Sequence, residues 1–204
     1  MNFLAHLYLS DGQRDLILGN MIADFISPPM ETGYAKGVIE GIRLHRQIDA
    51  FTDSHPVFRR SKSRISSRFR LLKGIMVDLF YDHFLARHWN AYHPLALEDF
   101  CEEHYQLLEA HTAQLPERLA YILPYMRSQN WLVSYRDVSG IQEAFRGLSR
   151  RISRKNNLAE GVSELRDNYP ELEVDFLQFF PELQAFCREW RANGDQRIAN
   201  SRER

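Results

Sequence analysis

Apolar residues recur along the chain at spacings of three and four, and no run of strict alternation bounded by tight turns interrupts them. This pattern predicts an all-α fold, a single-domain helical bundle. Helices are expected at roughly 13–26, 34–52, 56–72, 74–91, 97–114, 117–133, 137–153, 157–168 and 171–191. Pro28-Pro29 closes the first, and Pro56 suits a first-turn position in the third. Pro124 and Pro181 fall inside predicted helices, where they are expected to kink or restart the chain. From Arg191 onward the sequence is polar with little to bury, so a helical domain over 1–192 is expected to end in a flexible tail over 193–204.

One predicted helix stands out. In Gly74-Ile-Met-Val-Asp78-Leu-Phe-Tyr-Asp82-His83-Phe-Leu-Ala-Arg-His88-Trp89, apolar side chains surround nearly the whole circumference, as in an interior helix. Asp78 and Asp82 are four residues apart and share a face. Buried carboxylates need a cation, a proton at raised pKa or a wet cleft. A structural ion pair with Arg43, Arg46 or Arg87 meets that need, and so does a divalent metal.

A second helix repeats the arrangement. His45 and Asp49 are also four apart, with Asp53 continuing the same side less closely. Imidazole and carboxylate on facing helices of a bundle suit zinc, manganese or iron, although an exposed i,i+4 pair has the same spacing. His6, on an apolar strip, fits either a satisfied core histidine or a ligand, and Asp24 either a helix-end contact or a third acid beside a metal. His83 and His88 lie well away from the Asp78 face, so His83 is expected to orient a ligand or carry a proton at the rim.

The chain has 204 residues, 44% of them hydrophobic and 12% aromatic, which is enough for one sizeable core. Its start lacks the basic and apolar regions of a signal peptide, and no segment has membrane-spanning length. Cys101 and Cys187 form neither a CxxC nor a disulfide framework, so a reducing cytoplasm is the expected setting. GxGxxG, GxxxxGK[ST], GxSxG and HExxH are all missing, which leaves a helical metal hydrolase as the leading enzyme class. The net charge of −1 hides a segregation: Ser54 to Val77 holds seven basic residues and no acid. Such a segment steers anionic partners, though its only aromatics, Phe58 and Phe69, give little support for binding nucleic acid.

A series of motifs in order resembles the acyl carrier protein phosphodiesterases over most of the chain. They are Asn2-Phe-Leu-Ala-His6-Leu, Gly19-Asn20 with Ala23-Asp24-Phe25, Gly41-Ile42 with His45-Arg46 and Ile48-Asp49, Thr52-Asp53, Asp78 with Asp82-His83-Phe84-Leu85, Arg87-His88-Trp89, and Gln129-Asn130-Trp131-Leu132-Val133 with Tyr135-Arg136-Asp137. The family is viewed as a divergent relative of the HD phosphohydrolases, all-α enzymes that use a divalent metal, commonly manganese. The chain has no His-Asp dipeptide, and its Asp82-His83 order is reversed. The resemblance implies hydrolysis of the phosphodiester between 4′-phosphopantetheine and a serine of holo-acyl carrier protein. For that reaction Asp24, His45, Asp78 and Asp82 are the expected metal ligands, with His6, Asp49 and His83 in supporting or proton-transfer roles and Arg46 in an anion clamp. Acyl carrier proteins are acidic, so Arg59, Arg60, Lys62, Arg64 and Arg68 become the expected docking surface. Trp131, Tyr135, Phe176, Phe179 and Phe180 are expected in the core. A nucleotide phosphohydrolase or a non-catalytic helical module would share many of these features.

Overall fold

The computed structural model describes every residue except 28, 29, 31, 32 and 201–204, together with the backbone but not the side chains of 195–200. Among the described residues it is all-α, with eleven α-helices and no strand. They are α1 (Phe3–Leu9), α2 (Arg14–Ile22), α3 (Lys36–Ser54), α4 (Pro56–Arg64), α5 (Lys73–Arg87), α6 (Leu97–Ala110), α7 (Glu117–Ser128), α8 (Trp131–Ser134), α9 (Val138–Arg151), α10 (Val162–Asp167) and α11 (Tyr169–Asn200). No described helix is long and apolar enough to cross a membrane.

α5 is the central helix. Residues 79 to 86 are all buried, and Phe80, Tyr81 and Phe84 meet Phe145 of α9, Phe58 of α4 and Phe176 and Phe179 of α11. Phe176, Phe179 and Phe180 are fully buried, as expected of core residues. Burying side chains of this size stabilises the fold by roughly 1.5–3 kcal/mol each.

α2 and α3 cross at Gly19 and Gly41. A Cβ on Gly19 would stand 2.2 Å from the Val38 carbonyl oxygen, and one on Gly41 2.6 Å from that of Leu16. The two glycines therefore permit a backbone approach that no other residue allows, and this approach carries Asn20 and Asp24 up to His45.

Several boundaries differ from the periodic pattern. Residues 3–9 form a helix of their own, capped by the Asn2 side chain, which accepts from the Phe3 N–H at 2.8 Å. The segment expected as one helix over 56–72 leaves helical geometry after Arg64, and Arg70 sits at φ 46° in a 3₁₀ turn over 67–72. Asn130, at φ 49°, divides the segment expected over 117–133 into α7 and α8. α7 continues through Pro124 and α11 through Pro181, so neither proline restarts a helix. α11 also runs past the expected end near 191 to Asn200, while positions 201–204 of the expected tail lie outside the described residues.

Candidate active site

α1, α2 with the 3₁₀ turn that follows it (Ala23–Phe25), and α3 bring His6, Asn20, Asp24, His45 and Asp49 into one cluster. The rings of His6 and His45 stack with centroids 4.0 Å apart and planes 14° from parallel. Both are nearly inaccessible, at 2% and 6% exposure, whereas Asp49 and Asp24 are 43% and 58% exposed and open to a cavity. The Asp49 carboxylate lies 3.4 Å from Nε2 of His6 and 3.1 Å from Nε2 of His45, and Asp24 lies 3.2 Å from the latter. One donor atom from each of His6, His45 and Asp49 lies within 4.8 Å of the other two.

Asn20 sets the tautomer of both rings. Its backbone carbonyl, which can only accept, takes the Nδ1–H of His45 at 2.9 Å. Its side-chain Nδ2 donates to Ser10 Oγ at 2.8 Å, and the Ser10 hydroxyl donates to the His6 carbonyl at 2.8 Å. That leaves Asn20 Oδ1 to accept from His6 Nδ1 at 3.1 Å. In the neutral rings both Nε2 lone pairs therefore face carboxylates rather than donors. His6 Nε2 is buried without a hydrogen-bond partner. An orphaned lone pair against anions fits a bound cation, and imidazoles whose far nitrogens are held by acceptors are typical of metal ligands.

The electrostatics agree with that donor set. Burial pushes His6 down to about 4, and the neighbouring His45 charge acts in the same direction. Burial also pulls His45 down, but hydrogen bonds to Asp24 and Asp49 outweigh it and raise the ring to about 9. Asp49 is held well below the carboxylate range, because His45, His6 and the Met1 ammonium outweigh its burial. His45 likewise lowers Asp24 against burial. Without a metal, a proton on His45 is the positive charge shared between the two acids.

Asp78 and Asp82 share a helix face but have different tasks. Asp78 lines the cavity and accepts from the Met1 ammonium at 2.8 Å, a cation that also lies 3.6 Å from Asp49. Its counter-charge is thus none of Arg43, Arg46 and Arg87. Burial lifts its carboxyl above the ordinary range against that ammonium. Asp82 is fully buried, and its two oxygens accept backbone N–H groups of Asn2, Leu4 and Ala5 at 3.2, 2.8 and 3.4 Å. The expected ligand is here an acid closing the positive end of α1, and burial still raises it to about 7.

The remaining sequence candidates lie apart from the cluster. His83 is buried between the Tyr135 carbonyl at 2.8 Å and the Tyr169 hydroxyl at 2.9 Å and does not line the cavity, so the structure gives it a packing position instead of the expected place at the rim. Arg46 is exposed on α3 and does not line the cavity either. The basic run over 54–77 is less free than its composition suggests. Arg60 and Arg64 turn onto the buried Asp175, Arg68 pairs with Glu160 and Glu164, and Lys62 lies 3.8 Å from Asp53; Arg59 is exposed.

The cavity encloses about 1350 Å³. It is lined by Asp24, Asp49, Asp53, Asp78, Asp137 and Glu143 and by Arg146, Arg150 and Arg151 of α9, with Trp131 and Tyr135 also on its walls. Tyr135 is buried, as expected, whereas Trp131 is only half-buried under the Arg151 guanidinium, 5.4 Å from the ring centroid. The sequence gives no site role to Asn20, seen there only in the Gly19-Asn20 motif, or to the α9 arginines. Asn20 carries no charge to draw notice, but residues 144–159 hold five basic residues and no acid, the same signal that marked 54–77.

The family described as acyl carrier protein phosphodiesterase matches residues 1–183. Relatives bearing that name include one from Photorhabdus laumondii, 33% identical over 90% of this chain and 93% of the relative. A second, from Pectobacterium atrosepticum, is 32% identical over 92% of this chain and 98% of its own length. A third, from Escherichia coli, is 35% identical over 91% and 96%. No solved structure matches the chain. With the match spanning the helices that build the His6, His45 and Asp49 cluster, the chain belongs to the acyl carrier protein phosphodiesterase family.

Proposed function

We propose that the protein hydrolyses the phosphodiester joining 4′-phosphopantetheine to a serine of holo-acyl carrier protein, releasing apo-carrier protein and 4′-phosphopantetheine. The observation that carries this reading is the pair of Nε2 lone pairs, fixed by Asn20 and aimed at Asp49, which itself lines a large cavity. His6, His45, Asp24 and Asp49 would hold a divalent cation, Mn2+ in this proposal, with Asp78 beside them. When bound, that ion supplies positive charge against the phosphoryl oxygens and acidity to water.

The chain's own groups do the rest. Asp24 and Asp49, held below the ordinary carboxylate range, remain ionised and open to the cavity, so they can keep the cation and accept a hydrogen bond from the attacking water. Asp78, on the cavity wall and paired with the Met1 ammonium, would stand beside the departing serine oxygen. Trp131, Tyr135 and Arg151 line the same cavity and would flank the pantetheine arm.

Incubation with holo-carrier protein and Mn2+ in 18O-labelled water tests the proposal. The label is expected in the phosphate of released 4′-phosphopantetheine, with an unlabelled apo-serine. An intact carrier protein, with nucleotide phosphoesters hydrolysed instead, would overturn it.

A further inference from the structure

We infer that the surface carrying Arg118, Arg146, Arg150 and Arg151 is where an acidic protein partner docks, a conclusion that rests on the carrier-protein reading above. Arg146, Arg150 and Arg151 on α9 line the same cavity as Asp24, Asp49 and Asp78, so a partner held there presents its phosphodiester directly to the cluster. Arg118 of α7 adds a like charge close enough to depress the Arg151 guanidinium, alongside burial, which is the larger cause. Among the described residues, Arg118, Arg150 and Arg151 take part in no ion pair, and Arg146 pairs with Glu143 three residues earlier. Cations gathered without internal counter-charges are satisfied by an external anion.

The mouth also exposes apolar surface. Ile75 of α5 and Tyr121 of α7 both line the cavity, at 40% and 69% exposure. Basic residues around exposed apolar side chains match a folded acidic partner better than a free phosphate, which needs no apolar contact. The run over 54–77 offers less. Arg60 and Arg64 are held by Asp175, and none of Arg59, Arg60, Lys62, Arg64 and Arg68 lines the cavity.

Binding of fluorescent apo-carrier protein, which lacks the arm, separates docking from catalysis. At low salt the full-length protein is expected to bind it, and affinity is expected to fall as salt rises. Arg146→Glu/Arg150→Glu should weaken binding at least tenfold with an unchanged melting temperature, and Arg146→Lys/Arg150→Lys should restore most of it. Arg59→Glu/Arg68→Glu should stay within twofold of wild type. Unchanged affinity in the α9 reversal, or a tenfold loss in the Arg59/Arg68 variant, overturns the assignment, as does wild type that binds no carrier protein. Binding that follows this pattern without turnover of holo-carrier protein would refute the hydrolysis reading alone.

Discussion

Asn20 and His6 form one end of a fixed hydrogen-bond chain: Asn20 Oδ1 accepts from His6 Nδ1 at 3.1 Å, while Nδ2 of the same amide is anchored on Ser10. The chain leaves the amide no freedom to flip, so it holds the His6 ring with Nε2 toward Asp49. Asn20→Ala should leave the fold intact yet lower Mn2+ affinity by roughly 10–100-fold, the usual cost of losing such an orienting partner. Calorimetric Mn2+ titration of variant and wild type checks this. Equal affinities would show that the amide orients nothing.

The two carboxylates on α5 should respond differently to substitution. Asp82→Ala strips three backbone N–H groups at the start of α1 of their acceptor and should cost about 1–3 kcal/mol in urea unfolding. Asp78→Ala should mainly reduce turnover of holo-carrier protein, with a smaller stability loss. Full turnover by folded Asp78→Ala would remove that residue from the proposed site.

The α2–α3 crossing is another place where fold and site meet. Gly41→Ala puts a methyl group 2.6 Å from the Leu16 carbonyl oxygen, so the helices must separate. Stability should drop by roughly 1–3 kcal/mol. Moving Asn20 and Asp24 away from His45 should weaken Mn2+ binding as well, and calorimetry on the still-folded variant reads that second effect. Native stability in Gly41→Ala would contradict the tight crossing.

Asp175 gives a pH prediction. Burial raises its carboxyl, but Arg64, Ser61 and Arg60 outweigh that and hold it below its ordinary value of 3.8. Because the folded-state value is depressed, its stabilising contribution is present above about pH 4 and is lost as pH falls through the folded value. Asp175→Asn should therefore cost about 2–4 kcal/mol near neutrality, and the gap to wild type should narrow below pH 4. Thermal melts across that range decide it; a gap independent of pH would exclude the linkage.

Helical periodicity made the fold class legible and placed His45, Asp49 and Asp78 on the faces where they stand. It could not separate Asp78 from Asp82, because equal spacing says nothing about which neighbour each side chain meets. One meets an ammonium and a cavity, the other the open N–H groups of α1. Nor could a local charge count show that Arg60 and Arg64 share the buried Asp175, 115 and 111 residues further on. Asn20 stood in a family motif without a role, because its value lies in joining two rings from different helices. The α9 arginines were readable as an acid-free run, but only the fold shows that they share a cavity with the carboxylates.

The central claim is that the imidazole–carboxylate cluster holds the metal on which hydrolysis depends. Metal-depleted protein titrated with Mn2+, with bound ion followed by electron paramagnetic resonance and holo-carrier protein turnover by mass spectrometry, tests it most directly. The account predicts that bound Mn2+ and turnover rise together in wild type and that both are lost in His45→Ala. Full turnover in chelator without bound metal, or unchanged Mn2+ binding in folded His45→Ala, would contradict it.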